Sequence, residues 1–310
     1  MTLAKRLLPA VSLILLFLFF ASQSAPFRSM DNITNIVGQN AWLLIASMGM
    51  TIVILGGGID LSVGSVMAFC GVVSVHLMVN MKVPVPIAML AGIAAGGVAG
   101  AINGILVTKL RIPAFIATLG MLLIARGAAL SLSKGVTVDG APEAFMQFAG
   151  GKLLNIPTPL IMTVAIAGLV ALAMHFTKFG RYVQAIGSNA EAARVSGVPV
   201  HKTLLWTYIL GGIFAGFAGL VEAARQGSGN PTSAEGYELD VVTAVVVGGA
   251  SLSGGEGRVS GTILGVLLVA FLRNGLNLIG VEPFLQKAYI GALILAAVAF
   301  DQWARRKSAA

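Results

Sequence analysis

Charge is scarce in this sequence. Asp, Glu, Lys and Arg make up 10% of the 310 residues, against about 25% in ordinary soluble domains. Cysteine is almost missing too: Cys70 stands alone, which excludes disulfides and any cysteine-based metal site. Recognisable catalytic machinery is absent. AGGKLL at 149–154 has neither the earlier glycine nor the hydroxyl residue of a phosphate loop, and no G-x-S-x-G elbow occurs. His76, His175 and His201 are scattered without metal-ligand spacing. Polar stretches are too short to form a separate soluble domain, and carboxylates at membrane depth are too few for a proton shuttle.

What is present is hydrocarbon. The chain is 57% hydrophobic with a mean hydropathy of +0.91, and apolar runs recur that are long enough, as helices, to cross a core about 30 Å thick. Candidate spans cover 7–24, 37–56, 61–80, 85–108, 112–132, 158–177, 203–222, 237–255, 259–279 and 284–303. The expected fold is all-α: a polytopic membrane helix bundle of about ten spans. Span 237–255 is the weakest, because Glu238 and Asp240 open it, and a re-entrant segment is the alternative there. The first span follows Lys5 and Arg6 like a signal peptide, but Pro26 after the best cleavage point favours a retained helix.

Lys and Arg favour short cytoplasmic loops. With the N-terminus inside, 12 of the 20 basic residues fall inside, among them Lys5, Arg6, Lys109, Arg111, Arg305, Arg306 and Lys307. Six fall outside, and Arg126 and Arg273 lie within spans. Both termini are therefore expected in the cytoplasm. The net charge of +8 reports this topology, and with no basic face on a polar domain, nucleic acid is not an expected partner.

Two loops carry most of the remaining polarity. Asp139, Glu143, Glu235, Glu238 and Asp240 make the outer face locally acidic. The inner loop 178–202, KFGRYVQAIGSNAEAARVSGVPVHK, holds a short amphipathic helix with Asn189 as its cap, ended by Gly197 and Pro199. Such a helix suits docking to a soluble partner; the alternative is an interfacial helix lying on lipid.

Glycine is abundant, with 39 copies, and two placements stand out. Residues 56–65 read GGGIDLSVGS between two apolar runs. A backbone break at membrane depth must be buried in protein or line water. Asp60 fits a structural cap at such a break, satisfied by nearby backbone N–H groups, with Ser62 and Ser65 capping the next helix. A carboxylate lining a substrate or proton path, and a plain cytoplasmic turn, are the alternatives. The pattern G-G-x-x-L-S-x-G recurs: Gly57, Gly58, Asp60, Ser62 and Gly64 correspond to Gly248, Gly249, Ser251, Ser253 and Gly255. Paired glycine breaks imply broken or re-entrant segments, an internal duplication and a pathway at the repeat interface. The second placement is a packing ridge, Gly92, Gly96, Gly100 and Gly104, with Gly212/Gly216 and Gly261/Gly265 as further small-residue pairs. Asn103 beside the first ridge, and Asn274 and Asn277 beside Arg273, are polar groups at depth that serve interhelical hydrogen bonds or line a pathway.

ASMGMTIVILGGGIDLSVGS at 46–65, NGILVTKLRIPAFIATLGMLLIARG at 103–127 and the segment from Gly180 to Gly261 resemble the ribose-type permeases of bacterial ABC sugar importers, over nearly the whole chain. Glu191, Ala192, Ala193 and Gly197 match the E-A-A-x-x-x-G pattern by which such permeases engage their ATPase. The resemblance implies a single transmembrane permease domain over 1–310, in the bacterial inner membrane, with 178–202 as its coupling loop. It implies a second permease copy, identical or paralogous, a cytoplasmic ABC ATPase that hydrolyses the ATP, and a periplasmic sugar-binding protein. No cofactor is expected on this chain. The short N-terminus, the compact length and the extra Gly56 depart from the family pattern and leave the span count open. An ion-driven secondary transporter of a small polar solute is the competing reading.

Overall fold

The computed structural model describes the backbone of residues 3–309 and the side chains of 9–296 and 299. Lys5, Arg6, Arg305, Arg306 and Lys307, which the orientation argument uses, lie outside the described side chains. Fourteen α-helices follow in order: α1 Leu3–Gln23, α2 Met30–Gln39, α3 Ala41–Leu55, α4 Val63–Val79, α5 Val85–Thr108, α6 Ala114–Ser133, α7 Glu143–Gly150, α8 Thr158–Phe176, α9 Lys178–Ser188, α10 Ala190–Val195, α11 Val200–Gln226, α12 Tyr237–Val247, α13 Val259–Leu278 and α14 Pro283–Ala309. Strand is confined to two-residue antiparallel pairings, 138–139 with 228–229 and 152–153 with 156–157. Proline sets many of the starts. Pro84, Pro113, Pro142, Pro157 and Pro199 each stand directly before a helix and Pro283 opens α14, where a missing N–H is harmless and the fixed φ is already helical.

Each expected span falls on a helix, but their reach differs. Helices α5, α6, α8, α11 and α13 are long and apolar enough to cross a membrane, and α2 with α3 makes a sixth such unit bent by 50°. The bend sits at Asn40, whose side-chain amide donates to the Ile36 carbonyl at 2.8 Å. The expected span 237–255 does not form one helix. Its helical part, α12, has only 11 residues, about 16 Å of rise and roughly half a hydrocarbon core, because the glycines from Gly248 onward end it.

Helix α11 is the centre of the bundle, packed against α3, α4 and α5, while α12 packs against α13, α3 and α14. Glycine makes the closest seams. A Cβ at Gly96 would overlap the Gly212 carbonyl oxygen, one at Gly212 would overlap the Gly96 carbonyl, and one at Gly100 would overlap the Tyr208 carbonyl. The ridge on α5 and the Gly212/Gly216 pair on α11 are thus the two sides of one contact. Gly261 and Gly265 of α13 approach the Gly248 and Ala244 carbonyls in the same way. Without a hydrophobic drive between helices in lipid, such backbone proximity supplies the van der Waals contact that holds them.

Both basic residues inside expected spans are partnered. The Arg126 guanidinium donates to the carbonyls of Pro231 and Ser233, and Arg273 donates to Asp240 at 2.8 Å. Cys70 is fully buried in α4, beside Gly92 of α5. Outward faces of α5, α6 and α8 expose Val98, Leu123, Ile124 and Leu169, as contact with lipid or another apolar surface requires.

Candidate functional site

The inner polar loop folds as two helices. α9 is capped by the Thr177 hydroxyl, which accepts from the Gly180 N–H at 3.3 Å, a helix that the sequence pattern alone does not delimit. α10 is the short helix expected there: the Asn189 side chain accepts from the Ala192 N–H at 2.9 Å, and the chain leaves at Gly197, whose φ is +83°. Ala193 is buried toward α9 and α11, whereas Glu191, Arg194 and Val195 face outward. Arg194 Nε donates to Glu191 Oε2 at 3.0 Å. That hydrogen bond and charge hold the Glu191 carboxylate below its ordinary range. The pair is therefore intact above this lowered pKa and is lost as pH falls through it. α10 thus presents a fixed charge pair beside a 71% exposed Val195.

The end of α9, just before the α10 cap, is wedged against both glycine motifs. A Cβ at Gly187 would overlap the Leu55 carbonyl oxygen and the Gly255 amide nitrogen. Gly255 N–H donates to Leu55 O at 3.0 Å. Gly254 lies on the Gly57 backbone, and Gly255 lies on Ser188, the residue before the α10 cap. Three segments distant in sequence meet here backbone against backbone, with the Ser188 hydroxyl the one side-chain oxygen set against Gly255.

The two motif loops also share local geometry. Both end a helix by the same capping bonds: Gly57 N–H reaches Ile54 O and Gly58 N–H reaches Val53 O, while Gly249 N–H reaches Val246 O and Ala250 N–H reaches Val245 O. Gly57 and Gly249 take φ of +82° and +92°, a region only glycine enters without strain. Each loop then closes a side-chain turn two residues on. Ser62 N–H donates to Asp60 Oδ1 at 2.8 Å, and Ser253 N–H donates to Ser251 Oγ at 3.1 Å. The capping bonds place Gly57 opposite Gly249, not Gly248 as the sequence motif aligns them, so the first loop carries one residue more.

The expected serine caps are corrected by these contacts. Ser62 has helical φ and ψ of −83° and −7°, so its hydroxyl does not reach forward to the first turn of α4. Instead it donates to Asp60 Oδ1 at 2.5 Å, and Ser65 Oγ donates back to the Ser62 carbonyl at 2.8 Å. Asn103 Nδ2 donates to Ser62 Oγ at 3.1 Å, tying α5 to the loop. Tyr208 of α11 completes the enclosure: a Cβ at Gly58 would overlap its hydroxyl, and among the described residues that hydroxyl and Asn103 Oδ1 have no hydrogen-bond partner. Gly64, at the start of α4, lies against the Ala234 carbonyl and Glu238. Asn274 stands far from this cluster. It exchanges side-chain hydrogen bonds with Asn32 at 3.0 and 3.1 Å, joining α13 to α2.

Gly187 and Tyr208 were not legible as site residues. A lone glycine shortly before a helix cap is the only sequence signal for the first, and a tyrosine in an apolar run gives none.

Residues 32–298 match the family described as the permease component of branched-chain amino acid transport systems. The chain belongs to that permease family. Among its relatives, the ribose import permease protein RbsC of Escherichia coli K12 is 42% identical over 299 residues, covering 94% of this chain and 92% of the relative. The ribose import permease protein RbsC of Bacillus subtilis 168 is 40% identical over 307 residues, covering 98% and 94%. The D-allose transport system permease protein AlsC of Escherichia coli K12 is 36% identical over 276 residues, covering 89% and 85%. No solved structure matches the chain. As a permease component, this is a multi-pass protein of the inner membrane and a transport subunit, not an enzyme.

Proposed function

We propose that this permease carries ribose or a closely related monosaccharide inward, as the membrane subunit of an ATP-driven importer. Relatives named for ribose and allose, of matching length, support the sugar class. A permease of this kind works with an ATPase and a solute-binding protein; the finer assignment of partners to surfaces is ours. The observation that carries it is the junction at Gly187, where the α9–α10 unit abuts both glycine loops largely backbone to backbone.

In this reading the loop 178–202 is the coupling loop, with Glu191, Ala192, Ala193 and Gly197 facing a cytoplasmic ATPase that supplies all ATP chemistry. This chain binds no cofactor. Displacement of α10 pushes on Gly187, and Gly187 has no compressible side chain to absorb the push. The load passes to Leu55 and Gly255, and so to α3, α4 and α13. The residues 1–310 then form one permease domain with ten membrane segments and both termini cytoplasmic. Residues 237–255 enter and turn back, and the two glycine loops are duplicated elements at the repeat interface. Two copies, identical or paralogous, enclose the path, and a periplasmic sugar-binding protein delivers to the acidic outer face. Asp60 acts as the turn acceptor of the first loop.

The test is gentle extraction from the native membrane, followed by mass spectrometry of what co-purifies and ATP-driven uptake in vesicles. A stoichiometric P-loop ATPase and ATP-dependent ribose uptake are expected. Gradient-driven uptake by this chain alone would replace the reading with a secondary transporter.

A further inference from the structure

Helix α11 starts beside α10 and rises for 27 residues, about 40 Å, so its last turn lies at the opposite end of the bundle from the Gly187 junction. There the starts of α3, α12 and α14 and the ends of α11 and α13 surround a cavity of about 280 Å³. That is close to the lower end of the roughly 300–1,000 Å³ usual for small-molecule sites, a size for one sugar ring and not for an oligosaccharide.

Its walls are polar in a particular way. Arg225 and Arg273 both line it, and both are already neutralised: Arg225 donates to Glu222 at 3.0 and 3.2 Å, and Arg273 to Asp240 at 2.8 Å. No net charge is left to select an anion, and no unpaired cation and anion stand ready for the two ends of an amino acid. The carboxamides of Gln39 and Asn277 also line the cavity and make no hydrogen bond among the described residues. Half-buried Tyr237 adds an aromatic edge to the wall, backed by the buried Trp42 on which it stacks at 3.9 Å and 13° from parallel. An aromatic edge supplies apolar contact to the C–H groups of a sugar ring, while guanidinium and carboxamide groups exchange hydrogen bonds with its hydroxyls.

We infer that this cavity is a binding site for a neutral polyhydroxylated ring within the permease itself, with Gln39, Asn277 and the paired arginines holding hydroxyls and the edge of Tyr237 contacting the ring's C–H groups. The inference rests on the sugar-import reading above. It gives this chain a selectivity filter of its own, at the end where cargo enters.

The experiment is saturation-transfer NMR on the purified full-length chain in lipid nanodiscs, with D-ribose and L-leucine as probes. D-ribose is expected to receive saturation and L-leucine is not. Gln39→Leu with Asn277→Leu, both at exposed positions, should weaken ribose binding about tenfold, with circular dichroism and elution volume unchanged. Asn277→Trp, which fills the cavity, should abolish it. Ribose saturation unchanged in these variants would overturn the site while leaving the sugar reading intact, as would absence of ribose saturation in a chain that still supports ribose uptake. Leucine saturation lost in the same variants would overturn the sugar reading and the inferred ligand class together.

Discussion

Asp60 Oδ1 accepts both the amide and the hydroxyl of Ser62, and Ser251 Oγ accepts the corresponding amide in the second loop. An acceptor at that position, more than a charge, is the shared requirement. Asp60→Ala is expected to cost about 1–3 kcal/mol, the usual penalty for a buried donor left unpaired. Asp60→Ser should recover most of that loss and sustain transport, because it copies the second loop. Melting followed by circular dichroism, paired with uptake, decides it: a stable Asp60→Ser protein that moves no sugar would make the carboxylate a pathway group. For the α10 surface, Glu191→Arg reverses an exposed charge, and Gly197→Val puts a β-branched residue at φ +83°, a conformation it enters only with strain. Both should abolish ATP-driven uptake while the amount of protein in the membrane, read by immunoblot, stays constant. Uptake at the wild-type rate in both would remove the coupling role. At this scale the sequence pattern showed residue types well. The Asn189 cap and the Gly197 stop were legible because local hydrogen bonding determines them. The true partner of Ser62 was not, because it depended on whether residue 62 took helical dihedrals.

Among the elements, the α5–α11 seam is where packing is least forgiving. Gly96→Leu would drive a side chain into the backbone of Gly212 and Gly216, and overpacking of this kind costs about 1–3 kcal/mol or more. A lowered melting point is expected, whereas Gly120→Ala, with open space at its Cβ, should leave it unchanged. Equal melting points for the two variants would contradict the seam. The glycine period on α5 was visible in the sequence, and so was the Gly212/Gly216 pair. That one faces the other is a tertiary fact that spacing does not contain. The short α12 shows the opposite limit. Its apolar content reads as a full span through 255, yet Gly248 and Gly249 end the helix after 11 residues, since a helix end is set by backbone capping and not by hydropathy.

For the whole molecule, one bundle leaves large apolar faces on α5, α6 and α8 and keeps α10 uncovered. The proposed assembly sets a second bundle and ATPase domains against these open faces. Native mass spectrometry of the extracted complex is expected to give two permease chains with two ATPase domains. A lone permease chain that still imports in an ATP-dependent way would refute that assembly. Apolar character was legible because hydropathy acts residue by residue. The convergence of positions 57, 187 and 255 was not, since it joins three distant parts of the chain. One last feature turns the protein into its own instrument. Cys70 is the chain's only thiol and is sealed in α4 under α5, so a thiol-reactive fluorophore stays dark on the intact bundle and lights up as the α4–α5 seam opens. For the same reason, any cysteine placed on α10 or at the mouth of the cavity would be labelled alone, and distances between two such labels across a dimer would follow the transport cycle without first engineering a cysteine-free background.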